Sequence, residues 1–119
     1  MDKEEFVEKM ETADDFIDME YIRSVLGRAI DANPNKANPR GHNNLIIVME
    51  ELAELSQAVA KKLRGKGDYN SILEELADVQ LAIYYIQEIC GIQDDELNRA
   101  INVKVDRVKD TVESKGYFQ

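Results

Sequence analysis

Two stretches decide the architecture: Asn43–Leu63, NNLIIVMEELAELSQAVAKKL, and Ser71–Cys90, SILEELADVQLAIYYIQEIC. In the first, Leu45, Val48, Met49, Leu52, Leu55 and Val59 recur at three- and four-residue steps, the spacing of one face of an α-helix. Ile72, Leu76, Val79, Ile83 and Ile86 do the same in the second. Between them Arg64-Gly65-Lys66-Gly67-Asp68 interrupts both patterns, and its glycines suit a helix C-terminus. Ser71 followed three residues on by Glu74 reads as a capping box and predicts a helix start near Ser71. Two long helices joined by so short a connection run antiparallel.

Working outward, Asp2 to about Phe16 reads as a short acidic helix. Met19–Ala32 reads as a second, with Ile22, Val25, Leu26 and Ile30 on one face. Asn33–Gly41 carries prolines, asparagines and a glycine and reads as a loop. Downstream, Cys90-Gly91 closes one helix, and Asp94 and Asp95 open a last one that reaches about Ser114, their charge suited to its positive end. The tail from Lys115 to Gln119 is expected to be loose. Alternating strand patterns and hairpin turn signals are missing. The expectation is a single all-α domain over residues 1–119, an antiparallel bundle of about four to five helices. Residues 1–41 supply the N-terminal helices and loop, and 42–114 the long helices.

The chain has 119 residues with 44% hydrophobic content, enough for one packed core. Its formal net charge of −9 denies it the basic footprint that duplex nucleic acid requires. No leader-like segment and no long uncharged apolar stretch is present, so no membrane partner is expected. The single cysteine, Cys90, cannot form an internal disulfide, and as a small hydrophobe it is expected to be buried. A soluble cytoplasmic protein is the expectation.

The functional signal lies in acids placed beside apolar stripes. At about 100° per residue, Glu75 lies about 60° round from the Ile72–Ile86 stripe. Asp78 follows one turn on, and Ala82, Tyr85 and Ile89 continue that second row. In the preceding helix Ile47, Glu51, Glu54 and Ala58 form a similar row, and Glu51 and Glu54, three apart, are neighbours on one surface. Acidic pairs of this spacing are common on solvated faces, so neither pair alone decides anything. Set antiparallel, however, the two helices can bring Glu51, Glu54, Glu75 and Asp78 together. Four negative charges at close range need a counter-charge, and oxygen-only donors suit Mg²⁺ or Mn²⁺. The first of these helices is apolar around much of its circumference, which points to more than one packing partner, including another subunit.

These residues resemble a known family. Glu50-Glu51-Leu52-Ala53-Glu54 matches E-E-x-x-E, and Glu75-Leu76-Ala77-Asp78 matches E-x-x-D twenty residues later. Asn102-Val103-Lys104-Val105-Asp106-Arg107 is similar to an N-x-K-x-x-R stretch on a later helix. Together they resemble the MazG-like, all-α nucleoside triphosphate pyrophosphohydrolases, over about Asn44 to Lys109. The resemblance implies a Mg²⁺-dependent enzyme that converts a nucleoside triphosphate to the monophosphate and pyrophosphate, as nucleotide-pool housecleaning. It implies Glu51, Glu54, Glu75 and Asp78 as metal ligands, and Glu50, Glu51 and Glu54 as the acids that orient and deprotonate water. It places Lys104 and Arg107 on phosphate oxygens with Asn102 nearby, and implies a homodimer or homotetramer. Two alternatives stand beside it: phosphoribosyl-ATP pyrophosphohydrolase, from the same superfamily, and a non-catalytic acidic helical interaction module. In such a module the four acids would splay into solvent.

Other residues carry less. Lys61, Lys62, Arg64 and Lys66 form a basic turn that either complements the helix dipole or steers phosphate, with Lys62 a candidate substrate contact. Asn44, at the edge of the Glu51 face, is a candidate for base or sugar contact. His42 fits surface or capping duty, since paired E-x-x-H motifs are absent. Tyr69, Tyr84 and Tyr85 read as packing residues with a polar tip, or as stacking partners for a base.

Overall fold

A computed structural model describes residues 1–32 and 42–117, with the backbone alone described at 42–44. Asn33–Gly41, the side chains of His42 and Asn44, and the tail residues Phe118 and Gln119 lie outside the described residues. The described residues form five α-helices and no strand: α1 Lys3–Met10, α2 Met19–Asp31, α3 His42–Leu63, α4 Tyr69–Cys90 and α5 Asp94–Lys115. The protein is an all-α helical bundle.

The α3–α4 hairpin is the framework. Gly65 adopts φ 71°, so the Lys66 N–H can donate to the Lys61 carbonyl at 2.8 Å and the Gly65 N–H to the Lys62 carbonyl at 3.0 Å. This is a Schellman closure, and it satisfies carbonyls that the end of α3 would otherwise leave open. Gly67, also left-handed at φ 79°, turns the chain back within reach of Lys61. Asp68 then caps α4, its Oδ1 accepting from the Ser71 N–H at 2.8 Å. The capping-box expectation is therefore corrected: Ser71 is a donor inside the first turn, and the helix starts earlier, at Tyr69. Lys3 pairs with the same Asp68 and ties α1 to the hairpin.

Two further expectations change. The first helix stops at Met10 rather than continuing to Phe16. Asp14 accepts the Phe16 N–H at 3.0 Å, a local turn that competes with the helix, and Asp18 begins the next one by capping Tyr21. Cys90 is exposed rather than buried.

The core is small and sits where α2, α3 and α4 meet: Ile30, Val48, Ala82 and Tyr85, with Leu26, Ile86 and Ile89 against them. On α4 the row that carries the acids faces inward, with Ala82 and Tyr85 buried, and the expected main stripe divides: Val79 is buried and Ile86 packs on the core, while Leu76 and Ile83 are exposed. On α3, Val48 is buried and Leu55 partly so, yet Leu45, Met49, Leu52 and Val59 are exposed. With Leu63 they form a 4-3-7-4 row along the flank away from Glu54 and Lys61.

Helix α5 packs along none of the other helices. Its first turn is held by Asp94, which accepts from Gln87 Nε2 at 2.9 Å and pairs with Arg23 of α2. Beyond that turn Ile101, Val105 and Val112 are exposed. The radius of gyration is 17.2 Å, against about 13.5 Å for a compact chain of this length.

Because the hairpin depends on the start of α4, Asp68→Ala is expected to lower stability by about 1 kcal/mol. Urea unfolding reads this as a lower midpoint at unchanged slope; an unchanged midpoint would mean that the cap contributes nothing.

Candidate metal centre

The antiparallel hairpin brings residues 51 and 54 of α3 level with 78 and 75 of α4. Each of Glu51, Glu54, Glu75 and Asp78 offers a carboxylate oxygen, and the four oxygens lie within 4.8 Å of one another. The expected set of four converges.

The cluster is partly withdrawn from water. Glu51, Glu75 and Asp78 are half-buried and Glu54 is exposed. Glu51 Oε2 and Glu75 Oε2 are fully shielded and accept no hydrogen bond. A buried carboxylate oxygen without a donor is costly unless a proton or a cation meets it. The titration behaviour agrees. Burial, and then the charges of Glu54, Asp78 and Glu75, push the Glu51 carboxyl above its ordinary range. Burial followed by Glu54 raises Asp78. Burial followed by Glu54, Asp78 and Glu74 raises Glu75.

The donor set fits a hard divalent cation. All four donors are carboxylate oxygens, the kind Mg²⁺ and Mn²⁺ prefer. Oxygens that share one Mg²⁺ lie no more than about 4.1 Å apart, so small side-chain adjustments within the 4.8 Å cluster would let all four reach one ion and leave it room for water. Glu51 and Glu75 already present oxygens that no protein donor occupies.

Two cavities flank the carboxylates. On one side, Glu54 and Glu75 border a polar cleft of about 420 Å³ that also takes in Gln57, Lys61, Asp68 and Ser71. On the other, Glu51 and Asp78 border an apolar pocket of about 170 Å³ walled by Leu26, Ile47, Leu81, Ala82 and Tyr85. Burial raises the Tyr85 hydroxyl above its ordinary value.

The remaining candidates divide. Lys61, not Lys62, lines the polar cleft. Lys61 stands seven residues beyond Glu54, two turns along the same face, whereas Lys62 is turned about 100° away. That seven-residue spacing is the signal that could have singled out Lys61. Glu50 is exposed and lies outside the four-acid set. Asn102, Lys104 and Arg107 are exposed on α5, which does not pack along α3 or α4, so the single chain does not bring them to the acids. Lys104 and Arg107 are neighbours, but Asn102 lies about 160° round from Lys104, so one helix face cannot present all three. Comparison with family models, with curated proteins and with solved structures returns no match.

The raised carboxyls fix the sign of a pH effect. A folded state that holds protons more tightly than the unfolded chain is most stable below the ordinary carboxylate range. It loses that stability as pH rises through the raised values. In metal-free solution Glu51→Gln is therefore expected to melt at a higher temperature than the wild type at neutral pH, with the gap closing as the pH falls toward 4. Mg²⁺ should raise the wild-type melting temperature and leave the variant's nearly unmoved. A lower metal-free melting temperature for the variant at neutral pH would contradict the repulsion.

Proposed function

We propose that this chain is a Mg²⁺-dependent nucleoside triphosphate pyrophosphohydrolase of the MazG-like kind, active in the reducing cytoplasm on the nucleotide pool. The observation that carries the reading is the convergence of four carboxylates, two with orphaned buried oxygens, between a lysine-bearing polar cleft and an apolar pocket. A module with merely solvated acidic faces would hold these groups apart.

The placement of the cavities supports cleavage between the α and β phosphates. A nucleotide whose base enters the apolar pocket and whose outer phosphates enter the polar cleft sets its α phosphate against the acids between them. Lys61 stands on the outer-phosphate side, where its ammonium can meet the charge of the departing pyrophosphate. Glu54 is the exposed member of the set and reaches water, so it is assigned as the base that accepts the proton of the attacking water. Glu51, Glu75 and Asp78 supply the remaining donor oxygens. A divalent cation bound there neutralises phosphate charge and lowers the pKa of water.

The proposal includes self-association as a homodimer or homotetramer. The row Leu45, Met49, Leu52, Val59 and Leu63 is apolar and exposed along the length of α3, and beyond its first turn α5 packs along no other described helix. A second copy would bury these surfaces and could carry Lys104 and Arg107 to the cleft. Met49→Asp with Leu52→Asp is expected to convert the assembly to monomer in light scattering. A wild type that is itself monomeric at micromolar concentration would remove this part of the reading.

The decisive assay incubates the protein with nucleoside triphosphates, with and without Mg²⁺, and identifies the phosphate products. Monophosphate plus pyrophosphate, formed only with metal, is expected. Glu54→Gln and Glu75→Gln should each reduce turnover by about 10²- to 10³-fold with the helical circular dichroism unchanged. Full activity in the double variant would overturn the assignment. Turnover of phosphoribosyl-ATP alone would assign the sister reaction instead.

A further inference from the structure

The polar cleft has an unfavourable charge balance for a ligand that brings phosphates into it. Among the described residues that line it, Glu54, Asp68 and Glu75 are acidic and Lys61 alone is basic. Glu54 and Glu75 belong to the four-acid set, where a cation would answer their charge, but Asp68 does not. A bare carboxylate in that wall would repel an outer pyrophosphate.

Asp68 is not bare. Its Oδ1 accepts from the Ser71 N–H at 2.8 Å, and its Oδ2 meets the ammonium of Lys3. Helix α1 packs against α4 and so brings a second cation to the edge of the cleft, on the α4 side, while Lys61 stands on the α3 side. The ammonium has three donors, and the one Asp68 oxygen it meets does not exhaust them. The two side chains are 54% and 44% exposed, and a pair so open to water adds little to stability. Helix α1 buries none of its residues. The flexible four-carbon stem of Lys3 therefore lets its ammonium turn toward an anion in the cleft at small cost to the fold.

We propose that Lys3 is a substrate-binding residue that donates to the outer phosphates of the nucleotide from the side opposite Lys61, with Asp68 holding it in position. The inference rests on the proposed triphosphate hydrolysis, in which the polar cleft takes the pyrophosphate.

The test uses the wild type, Lys3→Ala and Lys3→Arg with Mg²⁺. It measures kcat and KM for a nucleoside triphosphate and the inhibition constants of the two products, pyrophosphate and nucleoside monophosphate. Lys3→Ala is expected to raise KM and the pyrophosphate constant by about tenfold, with kcat falling less than KM rises. The monophosphate constant should move by less than about twofold, since that product has no outer phosphate to lose a donor. Lys3→Arg, which keeps the charge, should lose much less. In Asp68→Asn, which keeps a capping acceptor and removes the carboxylate charge, the cost of Lys3→Ala should persist. Unchanged pyrophosphate inhibition in Lys3→Ala, equal changes for both products, a loss as large in Lys3→Arg, or a cost that vanishes in Asp68→Asn overturns the assignment of Lys3 and leaves the hydrolase reading standing. Turnover of no triphosphate at all, in protein that binds Mg²⁺, overturns the hydrolase reading and this inference with it.

Discussion

Like-charge repulsion held in place by a helical hairpin is the constraint on which the site depends. Four carboxylates whose oxygens lie within 4.8 Å of one another would separate if their side chains hung on mobile loops. Here they project from the middle of two helices. The spacing of those helices is fixed by the Val48–Ala82–Tyr85 packing on one side of the acids and the turn 64–68 on the other. Water screens the repulsion only in part, because Glu51 and Glu75 each bury one oxygen. What cannot be relieved by movement must be relieved by a proton or by a cation. Raised carboxyls are the signature of the first and oxygen-only geometry that of the second.

That constraint also accounts for the thin core. The inward row of α4 has given two positions to acids, Glu75 and Asp78, and α3 has given one to Glu51. Apolar side chains that would otherwise fill the hairpin are turned outward as Leu76, Ile83, Leu52 and Met49. A chain that exposes this much aliphatic surface is more expanded than its length requires. Under the proposed reading the two features belong together. Self-association would cover the outward rows, and the hairpin interior would be left to a metal.

Helix number, type and approximate bounds were legible in the sequence because the apolar period is strong and the glycines at 65, 67 and 91 punctuate it. So was the identity of the four acids, since two pairs three apart on adjoining antiparallel helices leave few ways to pack. The orientation of α3 and α4 was harder. Each carries two apolar rows, and periodicity alone cannot say which faces inward when both are hydrophobic; on α4 the row carrying the acids turned inward together with Val79 and Ile86 of the expected stripe. Caps were misread for a related reason. Asp68 and Ser71 both accept hydrogen bonds well, and only the three-dimensional turn shows that Asp68 captures the Ser71 N–H. The placement of α5 was not legible at all, because its amphipathic pattern is equally compatible with packing on its own chain or on another.

The sequence of polarity along the hairpin gives the proposed chemistry its direction. From the Ile47 end of α3 to the Lys61 end, the lining passes from aliphatic and aromatic groups, through four acids, to a lysine. A nucleotide has the same order of character: a flat weakly polar base, a first phosphate, and an outer pyrophosphate with most of the charge. Reversed, the ligand would place its charged end among Leu26, Leu81 and Ala82 without a donor and its base beside Lys61, both unfavourable. Orientation thus follows from desolvation and charge together. The bond set against Glu54 is then the one between the α and β phosphates, so the products would be a monophosphate and pyrophosphate rather than a diphosphate and phosphate.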